Sequence, residues 1–188
     1  MVEEERAIAI GRRVRRLRQE RGISLTELAR KAGIGKATLS GIETGTRNPS
    51  LEKLYAVAGQ LGVPLAALLA ESPPQDEEGR DPAGAQVSGA AVDAVLLEVF
   101  RDGGVTTELY RLRIRPGSVQ RSPAHPPGTV EYLTVYAGAA RVGPPEAPLE
   151  ARAGDHVSWA ADIPHVYEAL DGTEVRAGLL IRQPHAPS

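Results

Sequence analysis

Apolar residues in the first third of the chain recur at helical spacing, whereas those of the second half alternate with polar ones. Ile10, Val14 and Leu17 stand at i, i+4 and i+7, which predicts a helix from about Arg6 to Arg21 that stops at Gly22. Ser24-Leu25-Thr26-Glu27 has the form of a capping box, in which hydroxyl and carboxylate satisfy free backbone donors at a helix start. The helix it opens turns Leu25, Leu28 and Ala29 inward and ends at Ala32-Gly33. A third, Lys36–Glu43, turns Leu39 and Ile42 inward and is closed by Gly45. After Asn48-Pro49-Ser50 a fourth buries Leu51, Leu54, Val57, Ala58 and Leu61 up to Gly62, and Pro64–Leu69 makes a short fifth. Five helices joined by few residues predict a compact all-α domain over residues 1–70.

Residues 71–89 (ESPPQDEEGRDPAGAQVSG) hold three Pro, three Gly and five acids, with Val87 the one large apolar residue. Such a segment buries too little surface to order itself and reads as an acidic linker. From residue 90 the runs VDAVLLEVF, TTELYRLRIRPG, TVEYLTVYAG, DHVSWA, HVYEAL and EVRAGLLIR alternate between turn residues. That pattern predicts an all-β double-sheet domain over residues 90–188.

Composition narrows the chemistry. The absence of Cys excludes a disulfide framework, a cysteine zinc finger, an iron–sulfur cluster and thiol catalysis. The longest apolar run, Val63–Ala70, is interrupted by Pro64 and falls short of the roughly 18–20 residues that span a bilayer. No signal-peptide pattern opens the chain, so the expected location is the cytoplasm, with no membrane partner. The formal net charge of −2 conceals a split. Residues 1–70 carry 12 basic against 7 acidic side chains, and residues 71–188 carry 10 against 17. The helical end therefore suits a polyanion and the β end does not.

The helices Ser24–Ala32 and Lys36–Glu43, joined by Gly33-Ile34-Gly35, fit a helix-turn-helix, whose second helix lies in the DNA major groove. The run ISLTELARKAGIGKATLSGIETGTRNPSLEKLYAVAGQLGVPLAALL resembles the XRE (phage repressor-like) family, with LTELARKAG, TLSGIETG and NPSLEKL in the family's order. The resemblance implies a five-helix lambda-repressor-like domain in which Lys36, Thr38 and Gly41 fall on the outward face of the recognition helix. Lys36 would donate to guanine O6 and N7, and Thr38 would touch a thymine methyl or a phosphate. Gly41 stands where the family carries a longer side chain; it costs about 1 kcal/mol of helix propensity and offers no group to a base. Ser24, Thr44, Thr46, Arg47 and Asn48 match phosphate-facing positions, and Arg18 and Glu43 match an ion pair that ties the first helix to the third. Arg12, Arg13, Arg15 and Arg16 read as the solvated face of an amphipathic helix.

In the β half, GSVQRSPAHPPGTVEYLTVYAG followed by Gly154-Asp155 and Pro164-His165 resembles a cupin, a double-stranded β-helix or jelly-roll. Gly117, His125, Glu131 and Gly138 follow the order of the family's first motif, and His165 matches the His of its second. Pro123 stands where the first His of His-x-His belongs, and five residues rather than four separate His125 from Glu131. The resemblance implies His125, Glu131 and His165 as metal ligands; two imidazoles and a carboxylate suit one divalent ion, Zn, Fe, Mn or Ni. A metal-free pocket using the same groups is the alternative. Strand alternation puts Leu133 and Val135 on the side of Glu131, and Tyr167 on the side of His165. Trp159 and Tyr167, with Glu131, are the ligand-binding expectations, while His156 is expected to face solvent. Arg113, Arg115 and Arg121 are carboxylate-binding candidates that read more simply as surface residues.

The two resemblances together imply a one-component bacterial transcription regulator, not an enzyme. Its partners would be double-stranded DNA, a small-molecule effector such as an amino acid or sulfur metabolite, and a second copy of the chain. The competing reading is a mononuclear-metal cupin enzyme carrying a helix-turn-helix domain. Iron oxygenases of that architecture use His-x-x-x-Glu with a distal His, and Pro127 stands at that first position here.

Overall fold

A computed structural model describes residues 2–69 and 84–184, which form two compact units divided between residues 79 and 80. The first contains α1 (Val2–Glu20), α2 (Leu25–Lys31), α3 (Lys36–Glu43), α4 (Leu51–Leu61) and α5 (Leu65–Leu69). Helix α1 begins earlier than apolar spacing predicts, because Glu4 and Glu5 in its first turns complement the helix dipole. Val14, Leu28, Leu39, Leu54, Val57 and Leu68, drawn from all five helices, close one core, each at most 1% exposed. Gly11 lets α1 approach the end of α3: a Cβ there would sit 2.1 Å from the carbonyl oxygen of Ile42. Across the same contact Arg18 grips Glu43 through two hydrogen bonds of 2.6 and 2.9 Å, and a third reaches the carbonyl of Ile23 at 2.9 Å. Arg13 is buried rather than solvated and points its guanidinium at the carbonyl of Ala67, 3.4 Å away. That corrects its place in the expected exposed cluster, since α5 covers this side of α1.

The second unit contains β1 (Gln86–Ser88), β2 (Val92–Asp102), β3 (Val105–Ile114), β4 (Val119–Ser122) and β5 (Val130–Ala137). It continues with β6 (Ala139–Gly143), β7 (Leu149–Arg152), β8 (His156–Ala160), β9 (His165–Ala169) and β10 (Val175–Pro184). A six-stranded sheet runs β1-β2-β3-β10-β5-β8 and a four-stranded sheet runs β4-β9-β6-β7, with antiparallel pairing. Alternate residues of both sheets face a shared interior, which is the double-sheet jelly-roll that the sequence predicts. On β5 the inner set is Glu131, Leu133 and Val135, each at most 1% exposed, and Tyr136 on the outer side is 65% exposed. A bulge between Leu96 and Glu98 breaks the alternation of β2 and leaves Leu97 exposed.

Most of the expected linker, residues 71–83, lies outside the described residues, as does the tail from His185. Its end needs correction: Gln86–Ser88 pairs with β2, and Ala85 and Val87 bury their side chains at 7% and 6% exposure. No helix among the described residues is long and apolar enough to cross a membrane.

Candidate functional site

Two places collect the residues singled out in the sequence. The first is the surface of α3 and the turn after it. Ser24 caps α2 by accepting from the backbone N–H of Glu27 at 3.1 Å. The reciprocal half of the capping box is absent among the described residues, because the Glu27 carboxylate pairs with Lys31 at 3.1 Å instead. Lys36 and Ala37 are exposed at the start of α3, and Thr38 and Ser40 are half-buried. Leu39, Ile42 and Glu43 turn inward.

Gly41 is not on the open surface, contrary to expectation. The turn after α3 folds back over it: its carbonyl accepts from the Arg47 N–H at 3.1 Å and from the Thr46 hydroxyl at 3.3 Å. The Thr44 hydroxyl lies 3.0 Å from the carbonyl oxygen of Ser40 and 3.0 Å from the hydroxyl oxygen of Thr46. Thr44 and Thr46 are exposed, and their hydroxyls are engaged within this turn. Arg47 and Asn48 are exposed beyond it, and Pro49 is buried.

The second place is the barrel interior. The loop after β4 is pinned by the His125 N–H donating to Ala161 at 2.9 Å and by the Gly128 N–H donating to Asp162 at 2.9 Å. These bonds swing His125 under Glu131 of β5, whose Oε1 lies 2.8 Å from His125 Nε2. His165 opens β9 on the facing sheet and brings its Nε2 to 3.4 Å from the same oxygen. The other carboxylate oxygen accepts from the Tyr167 hydroxyl. Trp159 pairs across from Glu131 on β8, with its ring 5.8 Å from Tyr167 and 6.4 Å from His165. Its indole N–H is buried and has no acceptor among the described residues. Pro123 is half-buried at the end of β4 and contributes no donor atom.

Burial alone would push the Glu131 carboxyl up, but the charge of His165 and its contacts with both imidazoles hold it well below the usual carboxylate range. Burial likewise works against a charged His165, and its ion pair with Glu131 and bond to the Ile163 carbonyl overcome this and raise its pKa. The 2.9 Å contact from His165 Nδ1 to that carbonyl makes Nδ1 the proton-bearing nitrogen and turns Nε2 toward Glu131. Ligand atoms of His125, Glu131 and His165 all lie within 4.8 Å of one another and all three residues are buried. This donor set and the backbone orientation of His165 fit a divalent metal.

Other expectations fare differently. His156 is exposed and bonds Thr134 at 2.9 Å. Arg113 and Arg115 are paired with Glu174 and Asp93 at the surface, so they are not aimed at a ligand. The sequence reading missed Glu108, which is 2% exposed and occupies the same inner row as Glu131, with Ile181 between them. The alternation of Thr106, Glu108, Tyr110 and Leu112 carried that signal. A groove of about 470 Å³ lies on the opposite face of the six-stranded sheet, lined by Leu109, Tyr132, Tyr136 and Leu180, and is separate from the histidine cluster.

A helix-turn-helix family model matches residues 14–68. The chain is 28% identical over 174 residues to the HTH-type transcriptional regulator SutR of Escherichia coli strain K12, covering 92% of this chain and 94% of that one. It is 37% identical over 68 residues to the uncharacterized HTH-type transcriptional regulator y4dJ of Sinorhizobium fredii, covering 36% of this chain and 84% of that one. The crystal structure of a helix-turn-helix family transcriptional regulator from Vibrio cholerae superposes with a TM-score of 0.79 at 25% identity, over 97% of this chain and 99% of that one. The likeness to that structure spans both units, and the matched helices include α2, α3 and the turn that seats Arg47. The chain belongs to the XRE-type helix-turn-helix transcriptional regulators, and carries a double-sheet jelly-roll unit after its helix-turn-helix unit.

Proposed function

We propose that the chain is a one-component regulator, not an enzyme, that binds operator DNA as a homodimer and responds to a small molecule held in its cupin domain. In this reading residues 1–70 bind DNA, the segment after them is a tether, and the barrel from β1 onward is the sensor. The observation that carries it is the buried cluster of His125, Glu131 and His165 in a chain whose other unit is a helix-turn-helix. These three residues would hold one divalent metal, Zn, Fe, Mn or Ni, which supplies a Lewis-acid centre for a donor atom of the effector. Tyr167 fixes the Glu131 carboxylate, and the Trp159 N–H offers a hydrogen bond to a carboxylate or similar acceptor. An amino acid or a sulfur metabolite carries both kinds of group. Both oxygens of Glu131 are engaged, which suits a fixed ligand better than a group that must exchange protons in turnover.

Two recognition helices of a dimer would read a pseudo-palindromic site. An effector shifts DNA binding only through its different affinity for the two states of the chain. Native mass spectrometry of chelator-free protein tests the site directly. The expected result is a mass above that of the denatured chain, lost when His125 and His165 are both replaced by Ala. A bare mass for the native protein, before and after incubation with each of the four metals, would overturn the metal assignment. Metal-dependent turnover would move the chain to the enzyme reading.

A further inference from the structure

We infer that Arg47, which follows α3 in the chain, is a base-reading residue that takes the place Gly41 leaves empty on the recognition helix. The inference rests on the DNA-binding reading and adds to it a specificity residue and its target, guanine. Gly41 follows Ala37 by four residues and Thr38 by three, so the three share one face of α3. With no side chain at residue 41 and only a methyl at Ala37, that face has a shallow hollow where a longer residue would project. Arg47 fills it. A Cβ built on Gly41 would lie 2.9 Å from both Cγ and Cδ of Arg47 and 3.4 Å from its Cβ. Three successive carbons of the Arg47 side chain therefore lie across the helix, and the guanidinium begins one bond beyond them.

The turn is built to hold this arrangement. The Arg47 N–H and the Thr46 hydroxyl both bond the carbonyl of Gly41, and the Thr44 hydroxyl bonds the carbonyl of Ser40. The backbone of Arg47 is thus tied to the same residue that its side chain covers. Arg47 is exposed, and its guanidinium has no acid or carbonyl partner among the described residues. A packed stem with a free planar fork at its end is preorganised for bidentate donation to the O6 and N7 of guanine. A residue chosen only for phosphate needs no such seat. Glycine at 41 is then a requirement of the reading head: any Cβ there drives the Arg47 stem off α3.

Selection of the full chain against a pool of random duplexes tests this, followed by titration of the selected sequence. Arg47→Met keeps an unbranched stem and removes the fork; Gly41→Ala keeps the fork and displaces the stem. The expected result is that both variants melt with the wild type and lose a guanine preference at one position of each half-site. Affinity for the wild-type sequence falls about 10- to 100-fold with Arg47→Met. Replacing that guanine by 7-deazaguanine weakens the wild type and leaves Arg47→Met unchanged. An even loss on all sequences, with the salt slope reduced by about 1, makes Arg47 a phosphate contact and overturns the inference. An unaltered motif in Arg47→Met overturns it as well. If the wild type itself enriches no motif, the DNA-binding reading fails, and the inference with it.

Discussion

The surface of α3 and the interior of the barrel solve opposite problems. Lys36 and Arg47 stand exposed with charged ends that no neighbour holds among the described residues, whereas His125, Glu131, His165 and Tyr167 are buried in one bonded cluster. An exposed cation keeps its hydration and contributes little to stability, so its value lies in a polyanion that releases counterions when bound. A buried ionic cluster has lost that hydration and must recover it from its partners. The comparison teaches where each unit is sensitive: substitutions on the exposed face of α3 should change binding and leave folding alone, and substitutions in the barrel should do the reverse until an occupant is present.

The largest effect should come from emptying the centre of the cluster. Glu131→Ala takes the shared carboxylate from two buried imidazoles and a phenol and should lower the stability of the β unit by about 3–5 kcal/mol, read from denaturant unfolding. An unchanged midpoint would show that the cluster is not the engaged network described. Next, Glu43→Ala leaves Arg18 without its carboxylate beneath α1 and should cost the helical unit about 3 kcal/mol, a test of whether the fold rather than DNA owns that pair. On the exposed side, Lys36→Ala with Thr38→Ala should weaken operator binding by at least about 30-fold, at roughly 1–3 kcal/mol per base contact, without moving the melting curve. Retained operator affinity would remove these residues from the reading face. Smallest is Tyr167→Phe, which forfeits one hydrogen bond to Glu131 and should cost about 1 kcal/mol, visible as a shifted melt of the β unit.

Periodicity made the helices legible, because Leu28, Leu39, Leu54 and Leu61 each sit on a stripe that only one helix register buries. The long strands were legible for the same reason: Glu131, Leu133 and Val135 alternate cleanly with Tyr132, Thr134 and Tyr136. The strands Gln86–Ser88, Val119–Ser122, Ala139–Gly143 and Leu149–Arg152 were not, since each is short and rich in Ala, Gly or polar residues. At the sites, the order of His125, Glu131 and His165 pointed to one cluster, which the two sheets bring within 4.8 Å. Arg13 and Gly41 resisted the same treatment. Their burial depends on α5 and on the Thr44–Arg47 turn, contacts between segments that a local pattern does not encode.

The most direct test of the account is operator affinity, measured by fluorescence anisotropy, for the full chain as purified and after chelation and exhaustive dialysis. The Glu131 cluster communicates with DNA binding if removal of its occupant changes affinity about 5- to 150-fold, the range of typical coupling free energies. The same treatment should leave the His125→Ala, His165→Ala double variant within twofold of its starting affinity. Equal affinity of the wild type before and after stripping, with loss of the occupant verified by native mass, would contradict the claim that the cupin domain is the sensor.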